Sequence, residues 1–287
     1  MTIDTITIDP LAQITRNIDP LAQIRRDNVK VVSKGTVKVG GRHPVSIQSM
    51  TNIPSDDIEG TIAQIHKLTK AGCEIIRIAV PTMKTARAIS KIKDQISIPL
   101  VSDIHFNYKL ALAAIDNGTD ALRLNPGNIG KTAYVQEVAK LAQSRNIPIR
   151  IGINSGSLEP HIEKKYGSPT PEAMIESAIN HIRILEELDF HDIIISLKSS
   201  SVPDTLEAAR LMIKERNYPL HLGVTEAGNG IEGRTKSFIG IGLLLLNGIG
   251  ETIRISLTGD PVQEIVAAKK LLQQVRSLAN STGKYLW

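Results

Sequence analysis

Eight short apolar runs recur along this chain at intervals of about 20 to 45 residues, the scale of a repeated βα unit. They are VSIQSMTN from Val45, IIRIAVP from Ile75, PLVSDIHF from Pro99, ALRLNPGN from Ala121, PIRIGINSG from Pro148, DIIISLKSS from Asp192, PLHLGVTEAG from Pro219 and TIRISL from Thr252. Between and after them the apolar residues fall at helical spacing: Ile58 to Ala71, Thr85 to Ile92, Tyr108 to Asn117, Ala133 to Ser144, Pro171 to Leu188, Asp204 to Arg216, Thr235 to Asn247 and Val262 to Leu278. Alternation with right-handed crossovers gives a parallel sheet, and eight units close it into a (β/α)8 TIM barrel. An open doubly wound sheet is the alternative, but it would show a Gly-rich fingerprint after its first strand, and none is present.

The 287 residues suit one barrel of about 250 residues with short extensions. Residues 1–30 read as a disordered leader containing a duplication, IDPLAQI at Ile8 to Ile14 and again at Ile18 to Ile24. The barrel is expected over 31–278 and a tail over 279–287. Val31 to Val39, followed by Gly40 and Gly41, predicts a hairpin that plugs the barrel floor before the first barrel strand. The stretch from Asn154 to Thr170 is long and polar for a βα connection, which makes it the lid candidate.

Composition removes several functions. No apolar stretch approaches the roughly 18 residues that span a bilayer, and the N-terminus lacks the basic start and apolar run of a signal peptide, so the default is a cytoplasmic protein without a membrane partner. A single cysteine excludes an intrachain disulfide framework and any multi-cysteine metal site made by this chain. The net charge of +5 is not gathered into basic runs and only 3% of residues are aromatic, which argues against nucleic acid.

Side chains two apart share a face of a strand, so Asp103 pairs with His105, Arg123 with Asn125, Arg150 with Asn154, Ser196 with Lys198 and Arg254 with Ser256. Inward barrel positions are normally bulky and apolar. Here five strands carry a cation near the C-terminal end, Arg77, Arg123, Arg150, Lys198 and Arg254, against the acids Asp103 and Glu226. One such arginine reads as a structural ion pair. Five at matching positions need an anion, because buried cations persist only when neutralised. Barrel enzymes keep their chemistry at this end, which predicts a small phosphorylated substrate. His221 reads as a core histidine with satisfied ring nitrogens, Cys73 as a small buried residue at the opposite barrel end, and no histidine has the spacing of a zinc site.

QSMTN, RIAVPT, SDIHF, LRLNPGNIG, RIGINSGSLE, LHLGVTEAG and TIRISL, in this order, resemble the barrel domain of 4-hydroxy-3-methylbut-2-enyl diphosphate synthases of the methylerythritol phosphate pathway of isoprenoid biosynthesis. The resemblance runs from about Val31 to about Leu278. It implies an oxidoreductase that opens 2-C-methyl-D-erythritol 2,4-cyclodiphosphate by reductive dehydration, with ferredoxin or flavodoxin as electron donor and a homodimer as the assembly. It further implies that Arg77, Arg123, Arg150, Lys198 and Arg254 clamp the diphosphate with Asn125, Asn154 and Ser256, that Asp103 and His105 shape the same mouth, and that Glu226 is the catalytic acid. The family's [4Fe-4S] cluster sits in a further domain on three cysteines and a glutamate, for which this sequence has no ligands. The chain is therefore expected to bind substrate and to be inactive without a separate iron-sulfur domain. Two alternatives stand beside this: a non-catalytic barrel relative or subunit that binds a phosphorylated ligand, and a pterin-binding barrel synthase.

Overall fold

The computed structural model describes residues 27–225, 228 and 230–281, so the duplicated leader, most of the tail and Glu226 lie outside the described residues. The chain enters as a small antiparallel hairpin, β1 (Val32–Lys34) and β2 (Val37–Val39). Eight units follow: β3 (Ser46–Met50) and α1 (Ile58–Ala71), β4 (Ile75–Ala79) and α2 (Met83–Lys93), β5 (Leu100–Asp103) and α3 (Tyr108–Asp116), β6 (Ala121–Arg123) and α4 (Thr132–Ser144). The next is β7 (Ile149–Asn154) with two helices, α5 (Pro160–Tyr166) and α6 (Pro171–Glu186). The last are β8 (Ile193–Lys198) and α7 (Val202–Glu215), β9 (His221–Leu222) and α8 (Gly230–Leu246), and β10 (Thr252–Ile253) and α9 (Val262–Ser281). The final helix runs three residues past its expected end into the expected tail, because Ala279 still packs in the core.

The eight parallel strands lie in the order β8-β7-β6-β5-β4-β3-β10-β9, and the parallel bridge Ile195 to Leu220 joins the two outer ones, which closes the barrel. The helix ends follow local chemistry. Asp57 caps α1 by accepting from the Gly60 amide and Gly72 ends it in the left-handed region, Thr82 and Thr85 form a capping box on α2, and Thr170 caps α6 ahead of Pro171. Apolar helix faces and the outward strand residues make one continuous core.

The hairpin closes the floor as its sequence predicts. Val39 packs on Ile75, Val101 and Ala121, near the N-terminal ends of three neighbouring strands, and Lys34 is fully buried, its Nζ donating to Gln48 Oε1 at 3.4 Å. Gly40 allows this entry: its φ is +109°, and a Cβ there would sit 2.0 Å from the Lys30 carbonyl oxygen. Gly40→Ala is expected to destabilise the protein by about 2 kcal/mol or more, because backbone strain of 1–3 kcal/mol adds to a clash with main chain. Chemical denaturation measures it.

Strand register builds the upper layer. Asp103 lies opposite Arg123, Arg123 opposite Arg150, and Asn154 opposite Lys198, so neighbours on β5 to β8 present charge to one space. Below, His221 and Ser46 flank Thr252 in the same way.

Candidate active site

Ten of the eleven residues expected to form the site line one cavity of about 580 Å³ at the C-terminal end of the barrel: Arg77, Asp103, His105, Arg123, Asn125, Arg150, Asn154, Lys198, Arg254 and Ser256. The eleventh, Glu226, follows β9 outside the described residues. Ser196 joins them, and Phe106, Asn128, Ser157, Leu158, Val224 and Thr225 complete the rim.

The cations divide by partner. Asp103 is shared: its Oδ2 lies 3.6 Å from Arg77 Nε and its Oδ1 lies 3.4 Å from Arg123 Nη1 and from His105 Nε2. Burial alone would raise the Asp103 carboxyl, but the His105 hydrogen bond and the charges of Arg77, Arg123 and Arg150 hold it far below the usual carboxylate range. Arg254 is taken by a residue the strand pattern did not reveal. Glu264, in the first turn of α9, accepts from Arg254 Nε at 3.2 Å and Nη2 at 3.1 Å, and from Ser49 Oγ and the Leu257 amide. A count confined to strand ends misses it, because it reaches the site from a helix start. Met50 Sδ fills the space between Arg77 and Arg254, accepting from Arg77 Nη2 at 3.0 Å.

Arg150 and Lys198 form no ion pair among the described residues. Arg150 Nη1 donates to Ser196 Oγ at 2.8 Å, while its Nε and Nη2 have no hydrogen-bond partner among the described residues. Burial, and then the neighbouring arginines, push the Lys198 ammonium well below its ordinary value. Burial likewise lowers Arg77 to about 10, against the pull of Asp103. Among the described residues, five cations therefore face two carboxylates, Asp103 and Glu264, and the surplus sits on the two most enclosed cations.

Asn125 lines the cavity and also binds main chain. Its Nδ2 donates to the Gly152 carbonyl at 2.9 Å and its Oδ1 accepts from the Gly152 amide at 2.8 Å, so the side chain stitches β6 to β7. Arg123 Nη2 donates to the same carbonyl, and a Cβ at Gly152 would lie 2.8 Å from Arg123 Nε. His221 departs from its expected satisfied state: it is buried, yet neither ring nitrogen has a hydrogen-bond partner among the described residues, and burial among cations keeps it neutral. The segment 154–170 is folded and anchored where a lid was expected, with Leu158 and Ile162 in the core.

A family model described as the GcpE TIM-barrel domain matches residues 29–269. The chain is 56% identical over 248 residues to 4-hydroxy-3-methylbut-2-en-1-yl diphosphate synthase (flavodoxin) of Clostridium perfringens, covering 86% of this chain and 71% of that one. The chain belongs to this synthase family. The synthase of Shouchella clausii is 53% identical over 256 residues, 89% of this chain and 70% of that protein. Among solved structures, dihydropteroate synthase of Xanthomonas albilineans superposes with a TM-score of 0.60 at 12% identity over 87% of this chain and 98% of its own. A truncated 3-deoxy-D-arabino-heptulosonate 7-phosphate synthase of Thermotoga maritima gives 0.59 at 16%, over 89% of this chain and 94% of its own. At such identity these two share the barrel alone, so the pterin-binding alternative has no support beyond fold.

The iron-sulfur cluster implied by the synthase resemblance does not fit the residues present. The one cysteine, Cys73, is buried with Sγ donating to the Ile75 carbonyl, and burial pushes its thiol up to about 12. Among the described residues no group of three or more His, Cys, Asp or Glu could hold a metal ion. No helix among them is long and apolar enough to cross a membrane.

Proposed function

We propose that this chain is the substrate barrel of a 4-hydroxy-3-methylbut-2-enyl diphosphate synthase and holds 2-C-methyl-D-erythritol 2,4-cyclodiphosphate in its mouth. One observation carries the reading: two enclosed cations, Arg150 and Lys198, have no carboxylate partner among the described residues, in a cavity that Arg77, Arg123 and Arg254 also line. An anionic ligand balances that arrangement, and a cyclic diphosphate brings the charge and the oxygen acceptors together. Lys198 has its ammonium for the phosphoryl oxygens, and Arg150, almost fully buried beside it, adds positive charge. Asn154 and Ser256 add neutral hydrogen-bonding groups, and Asp103 with His105 accepts or donates at the substrate hydroxyls.

The overall change takes up two electrons and two protons and releases one water. Glu226, in the GVTEAG run directly after β9, is the acid proposed to deliver a proton as water leaves. The electrons would come from flavodoxin or ferredoxin and would need an iron-sulfur domain, for which this sequence has no ligands. Without that domain the barrel binds and does not reduce.

Calorimetric titration of the chain with the cyclic diphosphate, at low and physiological salt, tests the reading. Binding that weakens with salt and falls at least about 30-fold in Arg123→Ala is expected, the loss of a charge-assisted contact being about 2 kcal/mol. Equal affinity in the variant would refute the clamp.

A further inference from the structure

His181 lies on α6, outside the cavity, and is almost fully buried. Its ring nevertheless reaches both loops that form one wall of that cavity. Nδ1 accepts from the Gly127 amide at 2.9 Å, in the turn after β6 that carries Asn125 and Asn128. Nε2 lies 2.8 Å from Glu159 Oε1, directly after the turn that carries Ser157 and Leu158. Because Nδ1 is an acceptor, the ring hydrogen sits on Nε2 and is donated to the Glu159 carboxylate.

Glu159 is fixed in turn. Its Oε2 accepts from Ser177 Oγ at 2.8 Å, one helical turn before His181 on the same helix. Burial would raise the Glu159 carboxyl, but His181 and Ser177 hold it at about 2, so it stays ionised to receive both bonds. Gly127 is matched to the ring: a Cβ there would lie 2.6 Å from His181 Cε1. The side chain therefore ties two wall segments beyond the last contacts between the strands, since the β6 to β7 register ends at Arg123 and Arg150 and the Asn125 to Gly152 bonds come before Gly127 and Glu159 on each side.

We propose that His181 is a positioning residue for ligand binding, a clasp whose two ring nitrogens hold the loops after β6 and β7 at the spacing a diphosphate requires. This rests on the diphosphate reading of the cavity. Its action is through Asn128, Asn154 and Ser157, which it does not itself touch. The sequence gives no hint of it, because a histidine on a helix 54 residues beyond Gly127 looks like any core residue.

The test uses the full chain, with hydrogen exchange of the main-chain amides read without ligand and calorimetric titration with the cyclic diphosphate. His181→Ala is expected to speed exchange in residues 127–129 and 155–159 together and to weaken binding about tenfold. His181→Asn, which keeps an acceptor near Nδ1, restores protection after β6 only, and His181→Gln, which reaches Glu159, restores it after β7 only. That split is the signature a merely structural residue would not give. Ile89→Val, in the core on α2, lowers the unfolding temperature and leaves both readouts unchanged. Should His181→Ala fold poorly, Gly127→Ala displaces the intact ring from the other side and gives the same pattern. Unchanged exchange in both loops, or wild-type affinity in His181→Ala, overturns the clasp. If the wild-type chain fails to bind the diphosphate, that reading falls, while the exchange measurements still decide whether His181 ties the loops.

Discussion

Lys198→Met is expected to make the ligand-free protein more stable and to weaken binding of the cyclic diphosphate about 100-fold or more, which is about 2.7 kcal/mol. Both effects have one origin. The ammonium is enclosed beside Arg150, Arg77 and Arg254, forms no ion pair among the described residues, and is pushed well below its ordinary value by burial and by those charges. Methionine keeps the length and removes the charge, so the desolvation cost disappears; exchanging buried ions for apolar groups gains roughly 1–4 kcal/mol in comparable cases. For a domain of this size each kcal/mol moves the unfolding temperature by roughly 2–4 °C, so a rise of a few degrees is expected.

The pH dependence carries a sign. A lysine whose folded value is lowered binds its proton more readily in the unfolded chain, so stability rises with pH from the folded value towards the ordinary one near 10.4. Lys198→Met should lose that part of the rise. Binding the dianion restores the ammonium, so the wild-type chain takes up protons on titration at pH values between the folded and the ordinary one, which buffers of different ionisation enthalpy detect. A variant that is less stable than wild type and binds equally well would show that Lys198 is ordinary packing.

The parts of this molecule that were readable from the sequence are those set by periodicity. Strand alternation placed Arg123 beside Asn125 and Arg150 beside Asn154 on one face, and the barrel turned those faces into one mouth. The plug was equally legible from Val31 to Gly41, since apolar residues flank a turn just ahead of the first barrel strand. Whatever depends on contacts across the fold was not. Glu264 reaches Arg254 from ten residues further along, on a different element, and no strand pattern could pair them. Asn125 lines the mouth as its strand-end position predicts, and its amide also binds Gly152, a contact across the fold that no strand pattern shows. His221 reads as satisfied from its sequence, as buried polar groups usually are, yet the barrel places it opposite Thr252 with no hydrogen-bond partner for either ring nitrogen among the described residues.

Asp103→Asn should move the same balance the other way. Its carboxylate is the shared partner of Arg77, Arg123 and His105, and it is buried. Removing one partner of a buried ion pair costs roughly 3–5 kcal/mol because the other charges stay behind uncompensated, which here predicts a fall in unfolding temperature on the order of 10 °C. The acid limb supplies the sign. A carboxyl held below its unfolded value of about 3.9 contributes stability that is present above that pH and lost as pH falls towards the folded value. The gap between wild type and Asp103→Asn should therefore be full at neutral pH and narrow below about pH 4. The same change takes a negative charge from beside the anion site, so inorganic pyrophosphate should bind the folded variant more tightly than wild type, by about tenfold, and protect it more against heat. Stability and anion affinity thus move oppositely in each variant, and the two variants move oppositely to each other. If Lys198→Met and Asp103→Asn both lost stability and both lost anion binding, the excess of cations would not be what this mouth is built around.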